Sequence, residues 1–139
     1  DGKVAWVYRQ FPLAQLHPNA PHLAEASECV AELAGNSAFW NFLDGVFAVA
    51  PVNVLFPLDR LNEVATQAGV DQTAFTQCLD SGRNQSIVEN QFNDAIATGG
   101  QGTPHNIIIA GDQIIAMPGA QPYSTVKQVI DSLLAEQGL

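Results

Sequence analysis

The sequence has 139 residues, 47% of them apolar, and a mean hydropathy close to zero. That is enough chain for one folded domain with a sizeable core and excludes disorder as the default. Fourteen acidic residues against five basic ones leave a net charge of -9 and a pI near 4.4, so nucleic acid and anionic membrane surfaces are excluded as expected partners. No stretch supplies the roughly 18 uninterrupted apolar residues of a spanning helix. Membrane insertion is therefore not expected, and a signal peptide is expected to be absent or already removed.

Val4-Ala5-Trp6-Val7-Tyr8 is apolar at every position and rich in β-branched and aromatic residues. This pattern predicts a short strand buried on both faces, ended by Pro12 and Pro18. From Asn19 the period becomes helical, with Leu23, Ala26, Val30 and Leu33 at three- and four-residue steps behind an Asn19 cap and Pro21, up to Gly35. A second stripe of Phe39, Phe42 or Leu43, Val46 and Phe47 follows Asn36-Ser37, either of which can cap it. Residues 50–57 are apolar but carry Pro51 and Pro57, which predicts a loop lying against the core. A third helix uses Leu58, Leu61, Ala65 and Ala68 and stops at Gly69. A fourth starts at Asp71 and places Phe75, Cys78 and Leu79 on one side before Gly82. The fifth runs over 85–98 with Val88, Phe92 and Ala95 inward, and ends at Gly99-Gly100.

The character changes again at 106–117. Asn106–Ala110 and Gln113–Met117 flank Gly111-Asp112, a pair suited to a tight turn, so a β-hairpin is predicted. A closing helix over about 124–136 would bury Val126, Val129, Ile130, Leu133 and Leu134. The order is strand, mostly helix, hairpin, helix. It reads as a small α/β unit, 1–16 and 100–139, with a helical insertion at 17–99.

The candidate chemistry is sparse. Cys29 and Cys78 do not form a C-x-x-C pair, and His17, His22 and His105 lack metal-ligand spacing, so neither a metal nor a cofactor is expected. In Gly99-Gly100-Gln101-Gly102-Thr103-Pro104-His105 a glycine loop delivers a Thr-Pro bond into an apolar strand. A proline there belongs at the strand's first position or beyond its paired edge. On local grounds alone the bond is trans, since about 5–6% of X-Pro bonds in folded proteins are cis. His105, next in line, reads as an exposed strand residue, with acid–base work as the alternative. Trp40 beside Phe39 reads as core filling rather than a stacking platform.

Taken in order, these marks carry a resemblance. Trp6-Val7-Tyr8-Arg9, Phe11-Pro12-Leu13, His17-Pro18-Asn19-Ala20, the Cys29 helix, Phe39-Trp40, Cys78-Leu79-Asp80-Ser81-Gly82, Gly102-Thr103-Pro104 and Gly119-Ala120-Gln121-Pro122-Tyr123 together resemble the DsbA-like thiol-disulfide oxidoreductases of the thioredoxin superfamily. The resemblance implies an incomplete thioredoxin-like α/β fold with a large all-α insertion. It also implies a cis-proline at Pro104 with Thr103 before it, and a periplasmic or otherwise extracytoplasmic bacterial setting. Gly102, Thr103, Pro104 and His105 would then form an edge that binds an extended peptide or unfolded protein.

The family's cysteine pair would lie ahead of the Val4 strand and has no counterpart in these 139 residues. No catalytic residue is therefore assigned, and dithiol exchange at that site is not expected. The same segment would supply the strand between Val4–Tyr8 and the hairpin, whose absence leaves edges that invite pairing. A longer protein that lost this part, a second chain filling the gap and a rearranged sheet are all open. Truncation of a longer ancestor, with self-association into a homo-oligomer, is the expected outcome. Cys29 and Cys78 read either as two buried thiols or, since some family members carry a second bridge, as a structural disulfide in an oxidising compartment. Two other readings stand beside the oxidoreductase. One is a non-redox peptide-binding thioredoxin-fold module. The other is a relative of the kappa-class glutathione transferases and isomerases, in which a serine can replace the first cysteine.

Overall fold

The computed structural model describes residues 2–51 and 54–138. It divides into two compact units, Pro12–Phe92 and the combination of Asp1–Phe11 with Asn93–Leu139.

The unit Pro12–Phe92 is built from helices. Helix α1 spans Ala20–Val49 and is broken at Gly35, where φ is +80° and ψ is -173°. The break falls where the sequence pattern places it, at a residue without a Cβ to oppose a positive φ. No loop separates the two stretches, so both apolar stripes sit on one bent element. A single 3-10 turn, Leu58–Arg60, leads into α2, Leu61–Gln67; α3 spans Gln72–Asp80 and α4 spans Gln85–Ala97. Asp71 caps α3 by accepting the Ala74 amide at 2.9 Å.

Helical spacing puts the core residues on facing sides. Ala26, Cys29 and Val30 meet Phe39, Phe42, Leu43 and Val46, with Leu61, Val64 and Ala65 from α2 and Phe75 and Cys78 from α3. Phe42 and Phe75 are fully buried, their ring centroids 6.4 Å apart. Phe56 is also buried and Ala50 packs against the core, whereas Val54 and Leu55 are exposed. The predicted loop therefore meets the core only at Ala50 and Phe56; positions 52 and 53 lie outside the described residues. Trp40 is partly buried and meets Phe39 edge to face at 5.5 Å, consistent with packing rather than a platform.

Five local expectations are corrected. Leu33, placed on the first stripe, is exposed. Asn36 and Ser37 lie inside α1 rather than at a cap, because Gly35 alone leaves helical geometry. Phe47 is 59% exposed, because Phe39, Phe42, Leu43 and Val46 already complete the i, i+3, i+4, i+7 face. Leu58, in the 3-10 turn, is also exposed. Asn19 stands at the N-cap of α1 without capping it; its Nδ2 instead donates to the Phe56 carbonyl at 2.9 Å, pinning the apolar loop to the start of α1.

In the other unit, β1 (His105–Ala110) and β2 (Gln113–Pro118) form an antiparallel pair with Ala110 opposite Gln113 and His105 opposite Pro118. Gly111 and Asp112 alone make the turn, as the pattern predicts. Helix α5, Tyr123–Glu136, buries Leu133 and half-buries Val126, Val129, Ile130 and Leu134, the predicted face. Val4–Tyr8 is the main correction. It forms no ladder among the described residues, and Trp6 and Val7 are 74% and 76% exposed. An apolar run becomes a buried strand only where neighbouring strands offer it backbone partners, and the described sheet holds β1 and β2 alone.

Candidate functional site

The loop between α4 and β1 is set by close backbone approach. Gly100 donates its N–H to the Ala95 carbonyl at 2.8 Å. A Cβ at this buried position would lie 2.6 Å from that oxygen and 3.0 Å from Phe11 Cε1, so only glycine lets the chain turn against the helix end. The Thr103–Pro104 peptide is cis. Pro104 accepts the Gly119 amide at 2.8 Å, and Asn106 Nδ2 donates to the carbonyls of Met117 and Gly119 at 3.2 and 3.3 Å. The hairpin mouth is thereby tied shut on its β2 side.

Gly102, Thr103, Pro104 and His105 thus form one short stretch. Among the described residues no backbone hydrogen bond involves Gln101, Gly102 or Thr103, and Thr103 and Pro104 are exposed. The backbone N–H and C=O groups of Gln101, Gly102 and Thr103, a bend that leads into β1, thus form an edge without backbone partners.

His105 departs from the exposed strand residue that alternation suggests, because it is half-buried and its ring packs into the loop. Its Nε2 lies 3.2 Å from Thr98 Oγ1. The same Thr98 hydroxyl also lies within hydrogen-bond distance of the Asp94 and Ala95 carbonyls, at 2.8 and 3.0 Å. His105 Nδ1 is buried without a partner. Among the described residues no carboxylate is within ion-pair distance of the ring.

Cys29 and Cys78 are joined in a disulfide with Cα atoms 5.9 Å apart. The bridge resolves the two readings of this pair and ties α1 to α3. Sequence reasoning missed its surroundings. Asn84 is buried, and its Nδ2 lies 3.4 Å from each sulfur while donating to Glu32 Oε2 at 3.1 Å. Arg83 grips the same carboxylate through Nε at 3.0 and 3.1 Å and through its terminal nitrogen at 2.8 Å. Glu32 Oε2 is 3.8 Å from Cys78 Sγ. Glu32 falls three residues after Cys29, on the same helix side. That spacing was a signal, but nothing local identified partners some fifty residues away.

Hydrogen bonds from Arg83 and Asn84 hold the Glu32 carboxyl below the usual carboxylate range. A lowered folded-state value means that the unfolded chain takes up the proton first on acidification. The contribution is complete above the ordinary glutamate range and is lost as pH falls through the folded value. Denaturant midpoints measured from neutral to acid pH should therefore drop on acidification, and less steeply in Glu32→Gln. Equal slopes in the two proteins would remove Glu32 from the account. Glu63, lowered in the same sense by Arg60, supplies a background slope common to both.

A family model for the DSBA-like thioredoxin domain matches residues 50–131, more than half of the chain. The chain belongs to the DSBA-like thioredoxin domain family. No curated protein and no solved structure matches it. The matched span runs from the Phe56 loop through α2, α3, α4 and the hairpin into α5, and so includes Cys78 and the Gly102–His105 stretch. With five helices and one two-stranded antiparallel sheet among the described residues, this DSBA-like domain is a mixed α/β structure, a partial thioredoxin-like fold with a large helical part. Among the described residues there is no helix long and apolar enough to cross a membrane, and no group of three or more His, Cys, Asp or Glu that could hold a metal ion.

Proposed function

We propose that these 139 residues supply the client-holding part of a DsbA-like thiol-disulfide oxidoreductase acting on exported proteins in the periplasm or an equivalent extracytoplasmic space. The observation that carries the proposal is the unused backbone edge at Gln101–Thr103. An extended polypeptide can add to such an edge by strand-like hydrogen bonds. Cys29 and Cys78, the sequence's two cysteines, are spent on one bridge, so holding a client, rather than exchanging thiols with it, is the role assigned to this chain. The bridge also supports the compartment, since structural disulfides persist where the surroundings are oxidising. The charge of -9 favours neutral or basic clients over acidic ones.

The test is a titration of isotope-labelled protein with an unfolded peptide, followed by amide shifts. The result expected is perturbation of Gly102, Thr103 and His105, weakened at least about tenfold when the peptide's amides are N-methylated, because methylation removes the donors that an edge requires. Unperturbed amides at 101–105, or indifference to methylation, would count against the edge. A second copy is the competing occupant, through the exposed Trp6 and Val7 and the free edges of β1 and β2. Light scattering on the same samples detects it as a mass that rises with concentration.

A further inference from the structure

The unit Pro12–Phe92 contains a cleft that the edge reading does not use. Its volume is about 380 Å³, at the small end of ligand sites of about 300–1,000 Å³, with room for one or two side chains. One wall is a single face of α4, where Gln85, Val88, Glu89 and Phe92 follow the i, i+3, i+4, i+7 spacing; Pro12–Gln15 and the first turns of α1, with Pro21 and Glu25, make the rest. Val88 is buried, Phe92 and Glu25 are half-buried, and Glu89 is exposed.

The two carboxylates have no counter-ion of their own. Among the described residues no ion pair reaches Glu25 or Glu89. The lysine and arginine side chains of this unit number only two, Arg60 and Arg83, and these are bound to Glu63 and Glu32. A basic group arriving from outside would therefore meet two carboxylates beside apolar walls, with no cation of this unit paired to them.

We infer that this cleft receives a basic side chain, arginine or lysine, of an extended client peptide. The methylene stem would lie on the Pro21, Val88 and Phe92 surfaces while the charged head reaches Glu25 and Glu89, the division of labour that long basic side chains adopt at apolar surfaces with a polar rim. Arginine suits the site better than lysine, because a planar guanidinium both forks onto carboxylates and stacks on rings such as Phe92. The inference rests on the client-holding reading and specifies which clients the domain prefers.

The test uses a short capped peptide with one arginine next to a leucine, and the same peptide with citrulline, which keeps the shape and removes the charge. Shifts are expected at Gln85–Phe92 and Leu13–Gln15, with citrulline binding at least about tenfold more weakly and Glu25→Gln combined with Glu89→Gln costing a similar factor. Should the double variant lose its native spectrum, Glu89→Gln alone, at an exposed position, is expected to weaken binding at least about threefold. Equal affinity for arginine and citrulline, or a folded variant that binds undiminished, would overturn the inference. Shifts confined to Gln101–His105 would overturn the cleft and leave the edge standing. Shifts at the cleft with none at 101–105 would do the reverse.

Discussion

Replacing Cys29 and Cys78 together by alanine is expected to destabilise the protein by about 4 kcal/mol, the chain-entropy value for closing a loop of this size. The bridge spans a sequence separation of 49, and it joins the start of the helical unit to its third helix. Opening it therefore releases nearly the whole core-forming stretch in the unfolded state. The two sulfurs are buried under Asn84, with the Glu32 carboxylate beside Cys78. An incoming thiolate would meet a steric cover, which fits a staple better than an exchanging pair. Urea unfolding of the double variant beside the parent protein checks this, and chemical reduction of the parent should bring its midpoint to that of the variant. A midpoint that stays in place in both would show that the bridge contributes nothing to stability.

Phe75→Ala is expected to cost about 3–5 kcal/mol, the range for emptying a fully buried aromatic site. Phe75 has no exposed surface, and its ring faces Phe42 across the junction of α1 and α3. Backbone on both sides is held by helix and disulfide, so the surroundings have little freedom to collapse into the space. Phe47→Ser provides the comparison, because its ring is mostly in solvent and the change should stay within about 0.5 kcal/mol. Thermal or urea denaturation of the pair would fail the assignment if both substitutions had the same effect. Together with the disulfide variant, the measurement separates the two supports of the helical unit, covalent closure and packed rings.

Much of this was legible from spacing. The helical periods between Asn19 and Thr98, the Gly111-Asp112 turn, the closing helix and the break at Gly35 all correspond to observed features, because each is dictated by residues within one or two turns of one another. Phe47 shows the limit of that reading. A periodic pattern gives a face but not its width, and the width depends on what packs opposite. Asn19 shows another: instead of accepting from the first helix amides, its side chain donates to the distant Phe56 carbonyl, a partner that local sequence could not foresee. The candidate loop at Gly102–His105 was visible as a glycine-rich lead into an apolar strand. The ring of His105, by contrast, is placed by Thr98 and Gly100 acting across the end of α4.

Val4–Tyr8 marks the boundary most clearly. Composition determines that this segment is apolar and suited to a strand, and the order of motifs carries the family resemblance that the match over 50–131 establishes. By itself the sequence also set the helices, the hairpin and the acidic surface, since propensity, period and charge are local or additive properties. Tertiary structure alone decided that Val4–Tyr8 joins no ladder among the described residues, that Cys29 reaches Cys78, that Glu32 is held by Arg83 and Asn84, and that Glu25 and Glu89 line one cleft. Each of these depends on groups far apart in the chain, and only the folded backbone sets the distances on which hydrogen bonds, ion pairs and covalent closure depend.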